Sequence, residues 1–309
     1  MKYIIFIFTI FYCNSSLYII MKFIRYIFLL IALGVVVSCN RNEEPVERPL
    51  YPTEGAINSR FSVNDSVTVV FAKGNLQYQA STNTWRFASN QYDIIGLSNE
   101  NIDTLYSGWI DLFGWGTSGY NESMPYTAND SCQYYGFVNR DISGSDYDWG
   151  QFNAISNAGN KKGLWRTLSY NEWTYLFSFR PSAGVKRGLA TIQDVGADGK
   201  GMSGLVILPD KWELPSGCAF QYGSADGYAT NTYTVPEWNR MQAAGAVFLP
   251  AGGYRDIKKV SLVGEYGCYW TSTYYDHLSA RELYMYHTGY DLSTAARSNG
   301  HSVRLVQDN

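Results

Sequence analysis

Two stretches of this chain carry a complete helix-start signal, and almost nothing else in it reads as helix. Ser169-Tyr170-Asn171-Glu172 places Ser at an N-cap with Glu three residues on, a capping box in which side chains satisfy the free N–H groups of the first turn. Trp173, Leu176 and Phe177 then share one face, and Pro181 follows the end. Thr234-Val235-Pro236-Glu237 repeats the signal. Its Pro sits in the first turn, where the missing N–H costs nothing, and Gly245 is suited to the left-handed position beyond the last turn. Trp238 and Met241 fall on a common face of this second helix. The other patterned segments are short and alternate as strands do: 66–79 with a turn near Gly74-Asn75, 85–88, 204–209, 246–255, 268–273, 280–286 and 302–306. Two short helices among many short strands predict an α+β domain. No linker-like stretch interrupts 56–307, so one domain over 56–309 is expected. Residues 98–163 are rich in Gly, Asn, Ser, Asp and Tyr and read as long loops that carry function or decorate a scaffold.

The N-terminal third of the first hundred residues belongs to targeting rather than to the fold. From Met21, Lys22 and Arg25 form a basic start and Tyr26 to Val37 an apolar run of signal-peptide length, short for a membrane span. Residues 1–20 are apolar with their own Met-Lys start, which suggests that translation begins at Met21. Residues 1–38 are thus expected to be a signal region. Polar, proline-containing residues 39–55 are expected to be an extended tether.

Composition narrows the function. A formal net charge of −3 with no Lys/Arg run excludes a basic face for nucleic acid. Tyrosine is abundant, 26 residues against only three histidines, which fits a β-rich exported domain more than a cytosolic helical enzyme. Cys132, Cys218 and Cys268 allow one disulfide or none, and no Cys/His spacing marks a metal centre. No cofactor is implied. His277, His287 and His301 crowd the C-terminal region without a nucleophile motif and read as surface or hairpin residues, so no enzyme activity is expected. Asp146, Asp148 and Asp198 fall short of a calcium loop and read as solvated acids. The clusters "GWIDLFGWG" (108–116) and "QYYGF" (133–137) can stack on sugar rings, but satellite hydrophobic clusters under long loops account for them better.

Three resemblances sharpen this. Val36-Val37-Ser38-Cys39 resembles the lipobox of bacterial lipoproteins, which implies cleavage before Cys39, acylation of its thiol and anchoring in the outer membrane or at the cell surface. "LWRTLSYNEWTYLF" resembles a segment of the formylglycine-generating enzyme group within the C-type-lectin-like fold, through Arg166, Leu168, Glu172 and Trp173. That group's activity needs a close pair of C-terminal cysteines, and Cys268 has no such neighbour. A closer likeness is to the fibrobacter major paralogous domain and related lectin-like lipoprotein domains. It rests on Tyr269 to Thr273, Ala280, Leu283, Met285, Arg297, Gly300 and Ser302 to Val306, with further matches over most of 60–307. The resemblance implies a C-type-lectin-like fold whose C-terminal region displays a binding surface.

Residues between the matched positions are the candidate site. In 280–286, Leu283 and Met285 share one strand face while Glu282, Tyr284 and Tyr286 share the other. Tyr274, Tyr275, Asp276, His277, Tyr284, Tyr286 and Tyr290 are expected to form a paratope-like surface, since tyrosine gives contact area at low entropic cost. A glycan or a surface protein is the expected partner, with a permanent subunit interface in a surface assembly as the alternative.

Overall fold

The computed structural model describes residues 54–126, 139–196 and 199–309. These form a mixed helix-and-sheet domain in which strands predominate over short helices. Cys39, Cys132, Asp198 and the 133–137 cluster lie outside the described residues.

One antiparallel sheet joins the two ends of the domain. Its order is β1 (Phe61–Ser62), β2 (Thr68–Phe71), β15 (Leu305–Asp308), β5 (Arg166–Thr167), so the last strand of the chain lies between two earlier ones. A second sheet runs β8 (Thr232–Tyr233), β6 (Arg187–Ile192), β7 (Met202–Ile207), β9 (Val247–Pro250), with β6 and β8 parallel. A third is an antiparallel meander of β12 (Gly267–Tyr274), β13 (Ser279–Tyr286) and β14 (Gly289–Ala296). Two hairpins complete the set, β3 (Leu76–Gln79) with β4 (Thr84–Phe87) and β10 (Tyr254–Asp256) with β11 (Lys259–Ser261).

Both capping boxes are formed in full, with reciprocal bonds between cap and Glu172 and between cap and Glu237. The first helix, Tyr170–Thr174, passes into a π-turn at Tyr175–Phe179, and Trp173, Leu176 and Phe177 are buried as their spacing predicts. The second, Val235–Ala243, buries Trp238 and Met241. Gly245 follows it with φ +99°, and a Cβ there would overlap the Ser59 hydroxyl, so only glycine fits.

The strand expectations hold in outline and miss six elements: the two- and three-residue strands β1, β5, β8 and β11, and the longer β6 and β14. The reason in β14 is physical: it is an edge strand with no buried residue, so selection for alternating apolar side chains is weak. Residues 302–304 are buried without belonging to the β15 ladder.

The larger correction concerns 98–163. Its described parts are not decoration. Ile110, Phe113, Trp115, Ile142, Trp149 and Ile155 build half of an aromatic core with Trp85, Trp165 and Trp270. Buried indoles usually find a partner for their N–H, and irregular backbone supplies it to two of these, Trp149 donating to Thr117 O and Trp165 to Ala158 O, while Trp115 donates to Thr271 O at an irregularity in β12. Long loops can therefore form a core when their free carbonyls face inward. The "GWIDLFGWG" cluster belongs to this core, except for the half-buried Trp109, which lies under the Arg86 guanidinium at 3.7 Å.

Asp148 is likewise not a solvated acid. It is fully buried, accepts hydrogen bonds from Thr167 N and Oγ1, and burial pushes its carboxyl up to about 6. Its work is to tie the Trp149 turn to β5. Asp146 is exposed.

Candidate functional site

The β12–β13–β14 meander carries the expected site residues, but it separates them into three groups. Tyr274 to His277 lie at one end, where β12 turns into β13, and Tyr284 and Tyr286 at the other. At about 3.3 Å per residue the length of β13 puts roughly 20 Å between them. Tyr290 pairs with Met285, and so it points to the opposite face from Tyr284 and Tyr286. There it packs edge-on against Phe177, at 5.8 Å between ring centroids, on the core that also holds Trp173, Leu176, Leu283 and Met285. The seven residues do not make one surface.

The turn end is built for shape. Asp276 accepts from Leu278 N and Ser279 N at 2.9 and 2.7 Å, which closes the turn and holds its carboxyl below the usual range. Tyr275 is half exposed and stands over Arg281, whose other face meets Tyr170. Tyr274 packs against the aromatic core and the Arg297 guanidinium. His277 is exposed.

The other end has a cavity. Tyr284 and Tyr286, two apart on β13, gather with Tyr266 from the loop before β12, the three ring centroids lying 5.2–6.4 Å apart. Tyr266, Tyr284 and Tyr254 form the rim of a cleft of about 420 Å³. These rim residues are half-buried, whereas the floor, made by Cys268, Glu282 and His301, is buried.

That floor was not foreseen. His301 was expected at the surface and is 2% exposed, stacked on the Trp270 indole at 4.2 Å. Glu282 lies opposite Trp270 in the β12–β13 register, and Cys268 lies two residues from Trp270 on the same face. The three side chains thus converge from two strands and the tail, and their ligating atoms lie within 4.8 Å of one another. Residues 268, 282 and 301 form no local motif. The available signal was that Glu282 occupies a tyrosine-bearing strand face opposite a buried Trp.

Glu282 Oε2 and His301 Nδ1 are 3.2 Å apart, an ion-pair distance, yet neither makes an aligned hydrogen bond. Burial outweighs their mutual attraction. It pushes the Glu282 carboxyl up to about 7, and burial together with the Arg255 guanidinium holds the His301 imidazole down to about 3. Burial thus favours the uncharged form of both side chains. Burial also raises the Cys268 thiol well above its ordinary value, the opposite of an activated nucleophile. A soft sulfur, an imidazole nitrogen and a carboxylate at one point form a metal-ligand set more readily than a hydrolytic one.

Two other clefts lie near Arg60, Asp210 and Lys211, and near Cys218, Asn231 and Glu237. Among the described residues, neither brings three ligating side chains together. Cys218 and Cys268 are both free thiols. Comparison of the chain with protein-family models, with curated proteins and with solved structures finds no match.

Proposed function

We propose that this chain is a lipid-anchored binding protein of the bacterial outer membrane or cell surface, with a C-type-lectin-like domain that recognises glycans at the cleft rimmed by Tyr254, Tyr266 and Tyr284. One observation carries the glycan reading: Tyr266 and Tyr284, their ring centroids 5.3 Å apart, border together with Tyr254 a cleft with polar groups in its floor. Aromatic faces bind the apolar faces of sugar rings, while a few placed polar groups fix orientation. The lectin-like reading is supported by the burial of the residues that bear the resemblance, among them Trp270, Leu283, Met285, Arg297 and Ser302 to Val306. Among the described residues no helix is long and apolar enough to cross a membrane. A lipid at Cys39 would supply the attachment.

A glycan array probed with the full chain tests the binding claim. Retention of a defined glycan is expected. Tyr284→Ala should weaken it by about 2 kcal/mol or more, the size of a binding hot spot. Absence of glycan retention, together with isolation of the chain in a stoichiometric surface complex, would instead make the tyrosines a permanent subunit interface. The anchor is tested separately. Metabolic labelling with an alkynyl fatty acid should mark the wild type and not Cys39→Ala; equal labelling of both would remove the lipoprotein reading.

A further inference from the structure

We infer that Cys268, Glu282 and His301 form a mononuclear zinc site at the floor of the cleft, with its fourth coordination position open toward Tyr254, Tyr266 and Tyr284. The geometry is close to what zinc requires. Bond lengths near 2.0–2.3 Å in a tetrahedron place neighbouring donors about 3.3–3.6 Å apart. Glu282 Oε2 and His301 Nδ1 already stand 3.2 Å apart, and all three donor atoms lie within 4.8 Å.

Two further observations point to a cation. Glu282 and His301 are 6% and 2% exposed, and Glu282 Oε2 and His301 Nδ1 make no hydrogen bond despite that burial. Unmet polar atoms are uncommon in protein interiors and call for an occupant. Charge agrees as well. A thiolate and a carboxylate supply two negative charges and a neutral imidazole none, so a divalent ion yields a neutral centre, the form that a buried site tolerates best. The donor set selects the metal class: magnesium and calcium prefer all-oxygen shells, whereas sulfur with imidazole suits zinc. Three protein ligands with an open position are the pattern of zinc sites that bind a further molecule. The cleft rim lies where that molecule would enter.

The test uses the full chain, stripped of metal and then titrated with cobalt(II) and with zinc. Cobalt should give a thiolate-to-metal charge-transfer band and the intense visible bands of tetrahedral coordination, at one equivalent. Zinc should displace it and raise the melting temperature, as any ligand selective for the folded state does. Glu282→Gln keeps the shape of the side chain and is the variant expected to fold. It should weaken zinc by more than about 100-fold, beyond the 10–100-fold typical of an outer-sphere partner. Cys268→Ala should abolish the charge-transfer band. A band that survives in Cys268→Ala, or zinc affinity unchanged in Glu282→Gln, places the metal elsewhere and overturns the assignment, as does failure of the wild type to bind one equivalent. None of these readouts depends on a glycan, so the zinc site and the sugar reading stand or fall separately.

Discussion

Arg304→Ala should cost the domain about 5 kcal/mol or more, enough to unfold it if its stability is ordinary. Arg304 is 2% exposed, and none of its hydrogen-bond partners is a carboxylate. Its guanidinium donates to Asn75 Oδ1, Ala72 O, Gln91 Oε1, Gln91 O and Phe248 O at 2.9–3.4 Å. Through these bonds one side chain joins the segment after β2, the loop at 91 and β9 to the C-terminal tail. Truncation strands several buried acceptors, each worth about 1–3 kcal/mol when left unpaired. Burial lowers the guanidinium to about 10, still above neutral pH, so the cation is retained in the interior by this cage. Arg304→Lys should recover only a minor part of the loss, because a compact ammonium cannot reach acceptors spread around a planar fork. Urea unfolding of the three proteins decides it. An Arg304→Ala midpoint within 1 kcal/mol of wild type would mean that the cage rearranges at little cost.

Trp270→Ala should destabilise by about 3–5 kcal/mol, whereas Tyr275→Ala should stay within the surface norm of about ±0.5 kcal/mol. The two residues lie five apart on one strand and its turn. Trp270 is 1% exposed, donates to Phe113 O at 2.6 Å and underlies His301, so truncation opens a cavity beneath the cleft floor. Tyr275 is 51% exposed and loses chiefly its contact with Arg281. Tyr290→Ala belongs with neither, since its ring packs on Phe177 and the Arg187 guanidinium, and its loss should exceed the surface norm. Melting curves on the three variants give the comparison. Equal losses at Tyr275 and Trp270 would make the turn part of the core.

What could be read from the sequence was what local chemistry determines. The capping boxes at Ser169 and Thr234 are complete within four residues each, and both form. The alternation of Leu283 and Met285 against Glu282, Tyr284 and Tyr286 fixes which side of β13 enters the core. The candidate site was only half legible for the same reason. Tyr284 and Tyr286 share a face by period two, whereas Tyr290 lands on the opposite face through a register set by the β13–β14 turn. The Cys268–Glu282–His301 cluster depends on a cross-strand neighbour and on a tail that returns from elsewhere, neither of which leaves a spacing to find. The inward-facing residues in the described parts of 98–163 were not legible because irregular backbone announces no periodicity, even where its carbonyls meet buried indoles.

The position of β15 between β2 and β5 bears on how such a chain is made. Arg304 and Ala72, which it brings together, are 232 residues apart in sequence. A chain that lacks β15 cannot close this sheet, so β2 and β5 keep open edges until that strand has been made. A product cut short before β15 would lack the middle of this sheet and leave β2 and β5 with unpaired edges open to proteases and to other chains.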